Sequence, residues 1–448
     1  MRLADFAAVV GGSLLGDGSL EVLGATVDSR SVGESQLFVA IKGERVDGHD
    51  YACDAVRAGA VAVLSEYEID GLSAPQVIVR STERALERFT RFKFQNYCGM
   101  VIGVTGSVGK TSTKEMIRAL LPQAFATAGN LNSGIGMPLT LFALADQPQA
   151  IVEMGMRGPG EIRTLAGLTR PSVGVITNIG PSHIGVLGSL EAIARAKGEL
   201  FAALPVDRGV AVLPAAEPWA GYLSLRAPRR IVTTGIAEGD LQASVVEDRG
   251  FGGWAFRLAF GGQGADVELS APGRASLQNA LLAAAVACEC GESLASVAER
   301  LKAYRNPHGR LDVRPLGEVT LIDDTYNASP VSAEVALALL MRAQGRRVAI
   351  LGDMLELGAE SEEAHRKVGR IAGRSCDELV VVGEMAQIMA QGARESGLAP
   401  ARILVYHSQD TLRENLTRIV RKGDTVLLKA SRGVGLERCL HQLEEMLA

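Results

Sequence analysis

The stretch Val104-Thr-Gly-Ser-Val-Gly-Lys-Thr-Ser112 decides how this chain folds. An apolar strand pattern, Met100–Val104, leads into it, and a helical pattern, Lys110–Leu120, leads out. A glycine-rich turn at a strand-to-helix junction lets backbone N–H groups point into one concavity. The helix N-terminus adds partial positive charge and Lys110 adds a full one. Thr111 offers a hydroxyl suited to magnesium. Thr105, Gly106, Ser107, Val108, Gly109, Lys110, Thr111 and Ser112 therefore read as a cradle for the phosphates of ATP or GTP. The loop is irregular in one respect: Val104 stands where the common pattern has its first glycine.

Outward from the loop, strand and helix patterns alternate along most of the chain, which predicts parallel sheets with crossover helices. The 448 residues suggest three domains. The expected fold class is α/β. A small mixed N-terminal domain spans 1–82, a central P-loop domain with a parallel sheet spans 83–310, and a Rossmann-like open sheet spans 311–448. In the first, strands are expected at Gln36–Ile41, Ala60–Leu64 and Gln76–Val79, with a helix at Tyr51–Ala58. In the second, residues 241–270 alternate and are glycine-rich, like antiparallel hairpins on a sheet edge. Arg305-Asn-Pro-His-Gly-Arg310 breaks a helix and is the hinge candidate. The third restarts at Val319–Asp323 and closes with a helix at Leu436–Leu447.

Composition excludes several classes. Net charge is −5 with no basic stripe, so nucleic acid is not the expected partner. The six cysteines are scattered and read as reduced thiols of a cytoplasmic protein. No run approaches the length of a membrane span, and Asp5 interrupts any signal-peptide layout. A monomer is expected.

Ligands of open α/β sheets collect at the carboxyl ends of strands. Glu153 ends the strand Ala150–Met154, where a carboxylate opposite Thr111 suits nucleotide-bound magnesium. Asn178 and His183 follow the strand Val173–Thr177; His183 is either a polar loop residue or a metal ligand. Lys197, in an alanine-rich helix, is either a snorkelling lysine or a buried amine of lowered pKa. Asp323-Asp324, Gly352-Asp353-Met354 and Lys429-Ala-Ser431-Arg432 end three strands of the last segment and together suggest a second substrate site.

These motifs are similar to those of the Mur ligases, the ATP-dependent amide-forming enzymes of peptidoglycan precursor synthesis, over essentially the whole chain. Thr105–Thr111 matches that family's phosphate loop, including the missing first glycine. Asp324-Thr-Tyr-Asn-Ala-Ser-Pro330, Ile350-Leu-Gly-Asp-Met-Leu-Glu-Leu-Gly358 with His365, and Gly129-Asn-Leu-Asn132 with Ile135-Gly-Met-Pro138 resemble the branch that adds D-alanyl-D-alanine. The resemblance implies joining of that dipeptide to UDP-N-acetylmuramoyl-tripeptide, with ATP and two magnesium ions. It implies that Lys110 and Thr111 hold phosphates and magnesium and that Glu153 is a metal ligand. His183 and Lys197 would sit at the second ion, with Lys197 carbamylated. Asn279 would contact adenine, and Arg310 and Asp324 the nucleotide after domain closure. Ser29 and Arg30 would face the uridine, Asn130 and Asn132 the phosphates or peptide, and Asn327, Ser431 and Arg432 the incoming dipeptide. The alternatives are a ligase adding a single amino acid, a small-molecule kinase and a nucleotide-driven switch. A switch needs no second substrate site.

Overall fold

The computed structural model describes residues 1–43, 46–182 and 184–447. Three sheets divide the chain. The first has five strands in the order Ser13–Leu15, Gln76–Ile78, Ala62–Ser65, Gln36–Val39, Gly24–Thr26, parallel except for the Ser13–Leu15 edge. Both edge strands, and the opening helix Leu3–Val10, are absent from the sequence expectation. They are three to eight residues long, too short for a periodic signal.

The helix Thr82–Gln95 begins at a Ser81 cap and buries Ala85, Leu86, Phe89 and Phe94. Phe89 meets Phe6 of the first domain at 5.3 Å between ring centroids and Phe142 of the central domain at 4.6 Å. One apolar core consequently runs from Leu3 to Leu223 through both units. Apolar surface shared this way leaves those two domains joined by packing as well as by the chain.

The central sheet has nine strands. Its parallel heart, in spatial order, is Arg230–Ile236, Val210–Pro214, Val173–Ile176, Met100–Thr105, Gln149–Glu153 and Phe125–Ala126. Leu241–Asp248 joins that side parallel to Arg230–Ile236, and Trp254–Phe260 and Gln263–Leu269 extend it antiparallel, so the alternating pattern predicts the hairpins but not the parallel join. The register places Val104 beside Glu153 and Thr105 beside Ile176. In a parallel sheet all carboxyl ends face one way, so the phosphate loop, Glu153 and the turn after Ile176 share one edge. The helix Lys110–Leu120 and the buried helix Arg274–Glu289 cover one face.

The third sheet runs Asp312–Leu316, Val319–Asp324, Thr425–Lys429, Arg347–Gly352, Glu378–Val382, Ile403–Tyr406. Only the first pair is antiparallel. That first strand corrects the expectation that the sheet restarts at Val319. Proline and alternating charge (Asp312, Arg314, Pro315) hide it, and both suit an exposed edge. The hinge before it is clamped: Gly309 N–H donates to Asp323 at 2.9 Å and Leu311 N–H to Asp324 at 3.1 Å. Among the described residues no helix is long and apolar enough to cross a membrane. All six cysteines are free thiols.

Candidate active site

The phosphate loop is locked before any ligand is considered. Gly106 has φ +151° and Gly109 +86°, and a Cβ on Gly106 would stand 1.9 Å from the Thr177 hydroxyl. Those positions need glycine for both reasons. Thr177 donates to the Val108 carbonyl at 2.6 Å. Asn178 Oδ1 accepts the N–H groups of Ser107 and Val108 at 3.1 and 2.9 Å. Ser107 and Gly180 exchange hydrogen bonds of 2.8 and 2.9 Å. The turn after Val173–Ile176 thus sets the shape of the loop. The sequence marks Asn178 only by its strand-end position.

Two lysines converge here. Lys110 Nζ donates to the Gly106 carbonyl at 2.9 Å, and Lys197 Nζ donates to that same carbonyl at 3.0 Å. Lys197 is 1% exposed, which rules out the snorkelling alternative. Burial, and then the charge of Lys110, hold its ammonium well below the usual lysine range. Burial also lowers Lys110, with Arg310 acting in the same direction and Glu153 against it.

Glu153 is 1% exposed. Its Oε1 accepts from Asn132 Nδ2 at 2.7 Å, while Oε2 has no hydrogen-bond partner among the described residues. Lys114 Nζ stands 3.8 Å from Oε2, beyond hydrogen-bond reach, and a buried carboxylate oxygen without a donor is costly unless a cation meets it. Thr111, at the head of the neighbouring helix, brings the oxygen that accepts from Arg310 Nη2 at 3.0 Å. Hydroxyl and carboxylate oxygens are the donor set that hard divalent cations prefer. His183 lies outside the described residues.

Arg310 crosses from the hinge to Thr111, and its guanidinium stacks 3.9 Å over the Tyr326 ring. The Arg432 guanidinium lies 5.6 Å from the centroid of that ring and donates to Asn130 at 2.7 Å. The hinge therefore touches the phosphate loop, and the third domain touches the Asn130–Asn132 loop. Tyr326 had no marker in the sequence beyond its motif. Asn279 is buried against Gly109, where an added Cβ would meet its Oδ1 at 2.7 Å. The side chain thus stands at the phosphate loop itself.

Within the third domain the polar strand ends divide into two kinds. Asp324 is paired with Lys429 at 2.5 Å, and Lys429 also donates to the Asn327 carbonyl at 2.9 Å. Burial raises the Asp324 carboxyl above its ordinary range, opposed by Lys429. Asp353, in contrast, accepts the N–H groups of Glu384 and Met385 at 2.8 and 3.0 Å. His365 accepts the Met354 N–H at 2.8 Å, and Ser431 Oγ accepts the Leu355 N–H at 2.9 Å. These three groups tie loops together, and the expectation that all three strand ends face one substrate crevice needs that correction. Asn327 remains exposed.

In the first domain Asp28 holds Arg30 through two bonds of 2.8 Å. The guanidinium pulls the Asp28 carboxyl down to about 2. Ser29 lies between them, half-buried. Among the described residues neither Ser29 nor Arg30 contacts the phosphate loop, and Arg30 is held by Asp28 within the first domain.

Comparison with known proteins matches this arrangement. Residues 21–93 match the Mur ligase family catalytic domain, 104–287 its middle domain, and 309–432 the glutamate ligase domain. The Escherichia coli UDP-N-acetylmuramoyl-tripeptide–D-alanyl-D-alanine ligase is 35% identical, over 99% of this chain and 98% of that protein. A crystal structure of MurF from Acinetobacter baumannii superposes with a TM-score of 0.86 at 30% identity, over 99% of this chain and 98% of the other. The Thermotoga maritima MurF ligase in complex with ADP gives 0.77 at 30% identity, over 94% and 97%.

Proposed function

This chain belongs to the Mur ligase family, and from that premise we propose that it joins D-alanyl-D-alanine to UDP-N-acetylmuramoyl-tripeptide at the expense of ATP. The observation that carries the reading is the reach of Arg310 from the hinge to Thr111 and of Arg432 from the third domain to Asn130. Hinge and third domain then close on the phosphate loop and on the neighbouring Asn130–Asn132 loop, which brings groups from separate units to one place, as a reaction with several substrates requires.

A carboxylate and an amine do not condense in water, because the departing oxygen is a poor leaving group. Transfer of the γ-phosphoryl group to the tripeptide carboxylate gives an acyl phosphate and ADP. The dipeptide amine then attacks the acyl carbon. The tetrahedral intermediate loses a proton and expels phosphate, leaving the amide. Lys110 and the loop N–H groups hold the phosphates and offset the negative charge that grows on the transferring oxygens. Arg310 fixes Thr111 and adds positive charge on the same side.

The uncommitted Glu153 oxygen and the Thr111 hydroxyl fit a magnesium ion, which would neutralise phosphate charge when bound. Lys197 fits carbamylation: burial favours its neutral amine, which would add carbon dioxide with formation of an N–C bond and release of a proton, giving an anionic ligand. His183 belongs with that second ion in this reading. Asn279, beside Gly109, faces the nucleotide. Asn130, Asn132, Ser29 and Arg30 serve the UDP-linked peptide, and Asn327, Asp324 and Arg432 the dipeptide side. Ser431 contributes by shaping its loop. The units 1–82, 83–310 and 311–448 are the bodies that move relative to one another on closure, the first two the more tightly joined.

The test is phosphate release from ATP by purified protein, omitting UDP-tripeptide or D-alanyl-D-alanine in turn, with the product weighed by mass spectrometry. Release that needs both, with a UDP-pentapeptide mass, is expected. Release indifferent to either sinks the ligase reading.

A further inference from the structure

Lys114 stands one turn beyond Lys110 on the helix that the phosphate loop opens, and its side chain is wholly buried. A buried ammonium is tolerated only where its donors are met. Nζ donates to the carbonyls of Thr127 at 2.6 Å and Gly129 at 2.8 Å. It also lies 3.1 Å from a Glu115 oxygen and 3.8 Å from the free Oε2 of Glu153.

The two carbonyls open the segment that carries Asn130 and Asn132. No helix or strand spans residues 127–135. The far end is tied by Asn132, whose Nδ2 donates to Glu153 Oε1 at 2.7 Å and whose carbonyl accepts the Gly155 N–H at 2.8 Å. The loop therefore hangs between the phosphate-loop helix and the strand end bearing Glu153. From there Asn130 meets Arg432 of the third domain.

We propose that Lys114 is a positioning residue that fixes the Asn130–Asn132 loop relative to the phosphate loop, so that the acceptor peptide is presented to the phosphoryl group held by Lys110. This rests on the acceptor-binding role given to that loop above. Lys114 Nζ also lies 3.8 Å from Glu153 Oε2, so the same side chain stands between the loop and the strand end that anchors it. The side chain is wholly buried and its hydrogen bonds go to the loop's own carbonyls, so it acts through the loop. Its loss therefore falls on acceptor binding and leaves nucleotide binding in place.

Lys114→Met keeps the aliphatic stem and removes the donors. The KM for UDP-tripeptide is expected to rise about 10-fold or more, the loss of bonds made by a charged donor. ATP affinity, measured by calorimetry without acceptor, is expected to stay within about 3-fold, since uniform damage would move both. Backbone amides of residues 128–133 should exchange hydrogen faster, and those of the helix Lys110–Leu120 should not. Parallel loss of both affinities, unchanged acceptor KM, or unchanged exchange in the loop overturns the proposal. Should Lys114→Met fail to fold, Lys114→Gln keeps a neutral donor and is read by the same calorimetry and exchange. Wild-type protein that makes no UDP-pentapeptide refutes the ligase reading instead. Loop exchange and ATP calorimetry then still judge Lys114.

Discussion

At the carboxyl edge of the central sheet, Lys110 and Lys197 share one carbonyl and Glu153 keeps an oxygen free. At the same edge of the third sheet, Asp353, His365 and Ser431 are all engaged by backbone N–H groups. Both edges occupy the position where α/β folds bind ligands. The central one concentrates charges that its own backbone leaves partly unmet. The third uses most of its polar groups to hold loops in register and sends Arg432 back toward the central one, while Arg310 reaches it from the hinge. Polarity at a strand end is therefore not by itself a sign of chemistry. What separates the two edges is whether the buried polar atoms are already satisfied.

Substitutions at each edge can break that contrast. Lys110→Ala should have the largest effect, lowering kcat by about 10²–10³-fold, as expected for one preorganised charge-stabilising donor. Near-normal turnover in a steady-state assay would remove Lys110 from the chemistry. Asp353→Ala leaves the Glu384 and Met385 N–H groups without acceptors, which should cost about 1–3 kcal/mol of stability. Urea unfolding reads that loss, and turnover of the folded protein should fall far less. A large drop in kcat with unchanged stability would return Asp353 to the active site.

The smallest effect concerns Lys197. Its folded pKa lies well below that of the unfolded chain, so between the two values the unfolded state binds more protons. Stability should then rise with pH across that window, by at most about 1.4 kcal/mol per pH unit, and level off above the unfolded value. Below the folded value the full penalty applies. Lys197→Met should flatten the slope in urea titrations run in carbonate-free buffer. Equal slopes in the two proteins would place Lys197 in water.

Much of this was open to reading from residue order. Met100–Val104, the loop and Lys110–Leu120 form one local unit whose geometry follows from glycine freedom, apolar alternation and helix periodicity. The strands Glu378–Val382, Ile403–Tyr406 and Thr425–Lys429 stand where the apolar runs end, because short buried strands announce themselves by composition. Glu153 was legible as an acid closing such a run. Tertiary structure alone decided which polar groups are satisfied. The partners of Asp353 are Glu384 and Met385, and those of Lys114 are Thr127 and Gly129, all supplied by segments brought together only by folding. It decided likewise that Lys197 is buried, because helix periodicity allows a stem to point either way. And it decided that Asn178 shapes the phosphate loop from 70 residues away in sequence, since hydrogen bonds of that reach depend on sheet register rather than on any local pattern.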